Sequence, residues 1–554
     1  MREGNEDKGM DPAPSWQAQL RERLPLILLA VLTLVSGFLI LRLTASISFV
    51  SDEWDLLLLR QGWGIDQFMA PFHEHTVIAP AFVYHLIQEV FGMDSARPNQ
   101  LLATGTFLLS CVLFFIYVRR RVGPWMALIM TALILFLGAA FEDLLWAFQF
   151  GYFGSLAAGL GALIALDRDD RTGDVVASVL LFSSLLFSSL GIPFVAAAVV
   201  EWLINPRNRL RRLFVPGAAI AFYAFWWLGW GHSAESELSL ANIPDLPSYL
   251  FTAISAGFTS IAGLATGDGS EAEQPHLVWG RIIFVVGLAA AVWHLRKRGS
   301  VPAGLWVVGA AGLSFYLLAG LNMSDLRPPE SSRYQLPSAI FILLVAAWVL
   351  DGVRFRAPVL AVSALLSCLA IVSGLQLMDE QAKARWQPTS TALLNSLGAV
   401  DIAGEAARPG YTVLVGLKEP VPMQVYLDAT RDFGSPGTSE EELAESDSAT
   451  RAAADSTLIN ALGIEPSGRE PLRHLKCQRL LPGETYETFG RNPDVFNRGD
   501  EDLGIGLSRF SDAPGLEVGA VLPKQSAGLI LPDDESDRPW RIAITRGGPA
   551  TVCG

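Results

Sequence analysis

Charge is what this chain has least of. Of its 554 residues, 17% are Asp, Glu, Lys or Arg and 51% are hydrophobic, with a mean hydropathy of +0.36. That is too apolar for a soluble protein of this length, so a soluble globular class is excluded. Chemical motifs are also scarce. There is no phosphate-cradling glycine loop, no cysteine cluster at zinc spacing and no nucleophile elbow. P-loop phosphate chemistry, a structural zinc site and α/β-hydrolase chemistry are therefore set aside. Neither an internal repeat nor a low-complexity tract is present. Cysteine is rare, with four in all. Cys111 and Cys368 lie in apolar runs and read as packing residues. Cys477 and Cys553 lie in the polar tail, which suits an oxidising compartment and a disulfide, or else two buried thiols. No small-residue cleavage site follows the first apolar run, so that run reads as a retained helix.

Long apolar runs recur from about residue 25 to residue 377. They predict membrane helices near 25–48, 98–118, 124–141, 151–166, 174–190, 192–205, 213–230, 276–295, 302–320, 334–350 and 358–377. The run at 192–205 is short for a span. Thr76 to Phe91 is only moderately apolar and carries His85, Gln88 and Glu89, so it reads as a helix lying in the interface. The expected organisation is a short N-terminal cytoplasmic segment (1–24), a transmembrane domain (25–377) with a large outer loop (49–97), and a soluble C-terminal domain (378–554).

Basic residues orient this arrangement. With the N-terminus inside, the inner loops carry Arg119 to Arg121, Arg168, Arg171, Arg207, Arg209, Arg211, Arg212, Arg296 to Arg298, Arg354 and Arg356. The outer loops carry only Arg60, Arg97, Arg327 and Arg333. That bias predicts eleven spans with the tail outside. From residue 378 onward, 27 Asp and Glu stand against 17 Lys and Arg, a net −10 of the chain's −14, which argues against nucleic acid as a partner.

The tail opens with a helical pattern from Asp379 to about Leu397. YTVLVG (411–416) and MQVYL (423–427) read as strands. The acidic stretch 434–456 reads as a loop or weak helix. The remainder alternates short apolar runs with turn residues, as a small β-rich domain does. In the 231–275 loop, PDLPSYLFTAISAGFTSIAG reads as a further interfacial helix, followed by a flexible TGDGSEAEQP.

Polar groups gather where the expected outer loops meet the membrane. Asp52 and Glu53 follow the first apolar run; a carboxylate pair there can serve as general base toward a hydroxyl or hold a divalent cation, or simply cap a helix in solvent. His73, Glu74 and His75 are too poorly spaced on a strand to share one metal ion, and suit hydrogen bonding to a phosphate or acceptor, or ordering of the loop. Arg333 and Tyr334 stand where a loop re-enters the membrane. An arginine there can hold a phosphate bidentately, or snorkel. Arg97 opens the second helix beside Pro98. Glu142 and Asp143 form a second acidic pair, with Trp146, Phe148, Phe150, Tyr152 and Phe153 around them as an interfacial belt or as the lining of a sugar or isoprenoid path.

Together these pieces resemble the GT-C membrane glycosyltransferases, the aminoarabinose transferases and protein O-mannosyltransferases among them. The resemblance rests on Asp52-Glu53 after the first helix, and on Phe72-His73-Glu74-His75 just before an interfacial helix that ends in Phe91-Gly92. Arg97 near the start of the second helix and Arg333-Tyr334 to Pro337 complete it. It covers about 50–377 and implies a polyprenyl-phosphate sugar donor, an envelope acceptor, and a multi-pass protein of the plasma membrane. Asp52 and Glu53 would be catalytic, and His73, Glu74, His75, Arg97, Glu142, Asp143, Arg333 and Tyr334 would bind substrate. His75 stands where the aminoarabinose transferases carry a lysine on the donor phosphate, which leaves Arg333 or Arg97 for that task. A transporter or flippase of lipid-linked precursors is the alternative from another class, and a non-catalytic scaffold a third. Transporters place ionisable groups near the bilayer midplane and often show repeated halves. Here the apolar runs are nearly free of charge, which favours the enzyme.

Overall fold

The structure, a computed structural model, describes residues 16–205, 209–234, 236–266, 275–324, 327–413, 421–468, 470–472, 476–488 and 492–554. Most of the N-terminal segment, most of the expected flexible stretch 266–275, and residues 414–416 of the expected strand 411–416 lie outside these residues.

Helices form at every position where an apolar run predicts one. In chain order they are α1 (Trp16–Leu43), α2 (Ile65–Met69), α3 (Ile78–Phe91), α4 (Arg97–Leu135), α5 (Phe141–Leu145), α6 (Phe150–Leu166), α7 (Arg171–Phe187) and α8 (Ile192–Ile204). There follow α9 (Arg209–Arg212), α10 (Phe214–Gly229), α11 (Leu246–Ile261), α12 (Pro275–Arg298), α13 (Ala303–Leu321), α14 (Gln335–Val349) and α15 (Ala357–Gln381). Two expected helices are joined in α4. Gly123, at φ 78°, kinks the path just before Pro124, which cannot supply an amide to the helix. Seven of the described helical segments are long and apolar enough to cross a membrane. The 13 residues of α8 and the 16 of α10 give roughly 20 and 24 Å at 1.5 Å per residue, short of a hydrocarbon core of about 30 Å. The chain is thus a helical, multi-pass membrane protein.

The chain divides into two compact units. The first holds the described part of Met1–Leu43, then Met69–Pro80 and Leu101–Ala382. Small residues set its packing, since lipid supplies no hydrophobic drive between helices. A Cβ on Gly138 would lie 1.7 Å from the Gly374 carbonyl oxygen, so this contact between the α4–α5 turn and α15 admits only glycine. The Ser155 and Ser184 hydroxyls join α6 to α7 at 2.9 Å. Ser332 donates to the Ala139 carbonyl at 2.7 Å and accepts from the Glu142 amide at 3.1 Å. That one hydroxyl fixes α5 against the turn that opens α14.

The second unit holds Thr44–Phe68, Ala81–Gln100 and Lys383–Gly554. The loop expected as an appendage of the membrane domain is therefore divided, and most of it belongs with the tail. After α16 (Gln387–Ala403) and an antiparallel pair of two-residue strands, β1 (Thr412–Val413) and β2 (Val421–Pro422), come three helices: α17 (Met423–Phe433), α18 (Glu440–Glu445) and α19 (Ser448–Leu462). One expectation fails here, and another is decided between its alternatives. MQVYL forms the start of a helix, because Met423, Tyr426 and Ala429 recur at helical spacing on one buried face. The acidic stretch holds two capped helices: Ser439 and Glu442 form a reciprocal capping box, and Asp447 caps α19.

The remaining strands are β3 (Pro466–Ser467), β4 (Cys477–Leu480), β5 (Thr485–Thr488), β6 (Asp494–Asn497), β7 (Leu503–Ser508), β8 (Leu516–Val521), β9 (Ser526–Leu529), β10 (Trp540–Arg546) and β11 (Ala550–Cys553). They form antiparallel sheets ordered β5-β10-β7-β8 and β3-β9-β6-β11-β4. Buried Asp455 of α19 accepts the Arg509, Phe510 and Ser511 amides and the Ser511 hydroxyl, tying helices to sheet. Cys477 and Cys553 are cross-strand partners and form the disulfide. Two free thiols, those of Cys111 and Cys368, should be counted in the unfolded chain without reductant, against four in the absence of the bond. Replacing both bridging cysteines by serine should cost the domain about 2–5 kcal/mol, read as a lowered thermal midpoint.

Candidate functional site

Within the second unit the acidic loop is a built structure. Helix α1 stops at Leu43, so Asp52 and Glu53 do not cap that helix. The chain turns at 44–46, and the Gln100 side-chain amide donates to the Thr44 and Ile47 carbonyls. Phe49 is buried. Ser51 then takes φ 50°, a left-handed conformation that costs a non-glycine residue and persists only where its surroundings hold it. Glu53 supplies that hold. It is 1% exposed, with one oxygen accepting the Tyr84 hydroxyl at 2.8 Å and the other the Val50 amide at 3.0 Å. Asp52 is half-buried and accepts the Ser51 hydroxyl at 3.1 Å. The adjacent carboxylates thus have different environments. Arg97 belongs to the same unit and donates to the Gln100 side chain at 3.0 Å. Among the described residues no group of three or more His, Cys, Asp or Glu could hold a metal ion.

The first unit carries the other predicted residues. His73, Glu74 and His75 lie on a tight turn, not a strand. The amides and carbonyls of Phe72 and His75 bond reciprocally at 3.0 and 2.9 Å, and His73 takes φ 48° at the corner. The turn directs Glu74 into an ion pair with Arg327, whose guanidinium also meets Glu237 at 3.3 Å. Burial alone would raise the Glu74 carboxyl, but His75 when protonated, and Arg327 through its hydrogen bond and charge, outweigh it and hold it low. Burial lowers His75 toward its neutral form, and Arg327, His73 and Arg333 act the same way against Glu74. Its ring meets Tyr152 edge-on at 6.4 Å.

Arg333 and Tyr334 sit on the turn before α14. The Arg333 amide donates to Glu142 at 3.1 Å, its Nε donates to Ser331 at 3.3 Å, and its guanidinium lies 5.9 Å from the Tyr334 ring centre. Asp143 is fully buried. Neither of its oxygens has a hydrogen-bond partner among the described residues, although the Arg333 charge and the Leu336 amide act on it. Glu74, Arg333, Tyr334, Asp143 and Tyr152 therefore share one electrostatic cluster. Trp146 and Phe148 stack at 5.2 Å, and Phe148 reaches Phe72 at 5.2 Å.

Sequence reading missed two members. Arg327 is one of the few basic residues expected outside, but nothing near it in the chain points to Glu74, 253 positions away. Tyr84 shares α3 with His85, and only the fold turns it toward Glu53.

No protein-family model matches the chain, and no curated protein matches it. Among solved structures, the crystal structure of ArnT from Cupriavidus metallidurans bound to undecaprenyl phosphate is similar over 73% of this chain and 85% of that one. The identity is 14% and the TM-score 0.42, values that decide neither family nor chemistry.

Proposed function

We propose that this protein is an integral-membrane glycosyltransferase of the plasma membrane, its tail extracytoplasmic, that moves a sugar from a polyprenyl-phosphate donor to a hydroxyl of a cell-envelope acceptor. The observation that carries this reading is the division of labour in the acidic pair. A solvated cap would leave both carboxylates in water. Instead Glu53 is buried and pinned, and its half-buried neighbour Asp52 is presented from a strained turn. A supported carboxylate is what a general base requires.

In the reaction, an acceptor hydroxyl attacks the anomeric carbon of the donor. Its proton passes to Asp52, the bond from that carbon to the phosphate oxygen breaks, and the polyprenyl phosphate leaves with the electron pair. Attack opposite the leaving group inverts the anomeric centre. The phosphate ester is already activated, so positioning and charge stabilisation supply most of the rate. Arg333 is the first candidate for the donor phosphate and Arg97 the second, while His73, Glu74 and His75 order the turn beside Arg327.

The test is sugar release from a polyprenyl-phosphate donor in nanodiscs. Loss of a charge-assisted contact in Arg333→Ala should weaken donor binding by roughly 1.5–3 kcal/mol. Arg333→Lys should restore only part, because lysine lacks the bidentate fork. Unchanged donor affinity in Arg333→Ala would move the phosphate to another residue.

A further inference from the structure

The second unit carries a helix whose contacts explain why the acidic loop holds its shape. Trp54, next to Glu53, is fully buried. Its ring meets Phe49 edge-on at 5.7 Å, and meets Tyr426 of α17 edge-on at 6.3 Å. Tyr426 is itself fully buried. Its hydroxyl lies 2.9 Å from the Ser435 hydroxyl, which donates to Asp401 of α16. The Trp54 indole N–H has no acceptor among the described residues. A buried donor without a partner is a cost, so ring packing and not hydrogen bonding keeps the Trp54 side chain in place.

The same helix grips the far end of the loop. The Met93 amide donates to the Phe433 carbonyl at 2.6 Å. Gly434, at φ 82°, ends α17 against Asp94, and a Cβ there would fall 2.1 Å from the Asp94 carboxylate. Independently, the Ser48 amide donates to Ser390 of α16 at 2.7 Å. Residues near both ends of the loop and at its acidic corner are thus fastened to the tail.

We propose that Tyr426 is a positioning residue for the acidic loop: its ring seats Trp54, α17 clasps the loop at Trp54 and Met93, and the soluble tail thereby sets the orientation of Asp52. This rests on the glycosyltransferase reading for its catalytic consequence, though not for the clasp itself. Aromatic edge-to-face contacts add modestly to burial. Their value here is geometric, since a displacement of about 1 Å at a reacting group can cost about a hundredfold in rate.

The experiment uses the full-length protein in nanodiscs, with Tyr426→Phe, Tyr426→Ala and Tyr426→Leu. Leu retains apolar volume in case Ala fails to fold. Hydrogen exchange is followed in peptides covering 49–60, and donor affinity and kcat are measured in parallel. Tyr426→Phe should leave loop exchange at the wild-type rate. Tyr426→Ala and Tyr426→Leu should accelerate exchange in 49–60 at least about tenfold, and kcat should fall about tenfold to a hundredfold with donor affinity unchanged. A general loss of stability would instead raise exchange throughout the tail, and that result overturns the proposal. So does wild-type exchange in 49–60 for the Leu variant. If exchange changes as expected but the wild-type protein transfers no sugar from any donor, the clasp stands and the glycosyltransferase reading falls.

Discussion

Asp52→Asn should lower sugar transfer by about 10²–10⁴ while the thermal melt stays at the wild-type midpoint. Asparagine keeps the shape of the side chain and can still accept from the Ser51 hydroxyl, as Asp52 does. What it loses is the ability to take a proton. Folding should be indifferent, because the residue that holds the loop together is Glu53, through Tyr84 and Val50. Glu53→Gln should therefore show the opposite profile. It places an amide NH2 where both positions now accept, so the loop should loosen and the melt should drop, with activity falling as a consequence. If Asp52→Asn transfers sugar at the wild-type rate, the base lies elsewhere. Asp143, buried and without a hydrogen-bond partner on its oxygens among the described residues, and its neighbour Glu142 would be examined next.

What the sequence made legible follows from how local each cause is. Avoidance of charge by hydrocarbon acts on every residue of a run, so each apolar run predicted a helix and a helix is there. The Cys477–Cys553 pairing was legible from count, since these are the two cysteines of the polar tail. The capped helices α18 and α19 were legible in principle, since Ser439 and Glu442 stand at capping-box spacing. Their acidic composition masked that signal. MQVYL was misread because Val and Tyr favour strands, although the decisive pattern, burial at Met423, Tyr426 and Ala429, has the helical period. The His73 turn was hidden because nothing marks a histidine that adopts a left-handed φ. The pairing of Glu74 with Arg327, and of Glu53 with Tyr84, depends on the route of the chain, and no local pattern encodes it.

That Glu74–Arg327 pair should carry a large stability effect in the membrane unit. Its side chains are 17% and 14% exposed, so each charge has given up most of its water and depends on the other. Arg327→Met leaves the largely buried Glu74 carboxylate with only His75, 3.8 Å away, as a basic neighbour among the described contacts, and removes the neighbour that Glu237 meets. A loss of about 3–5 kcal/mol is expected, seen as a large fall in the thermal midpoint in detergent. The sign of the pH dependence is set by Glu74, whose carboxyl is held low in the folded protein. The pair contributes fully above the ordinary carboxylate pKa of about 4.3, and its contribution is lost as pH falls through the depressed value. Acidification should therefore narrow the gap between Arg327→Met and the wild type. Removing both charges, in Arg327→Met with Glu74→Leu, should recover most of the loss at neutral pH, since apolar replacement of a buried pair is often neutral or better. The double variant also separates structure from chemistry. If it melts like the wild type and transfers sugar normally, the pair is scaffolding for the His73 turn. If it melts like the wild type and is inactive, Glu74 and Arg327 belong to the machinery that handles the donor. A midpoint unchanged in Arg327→Met alone would show that water reaches Glu74 and that the pair contributes no more than a surface salt bridge.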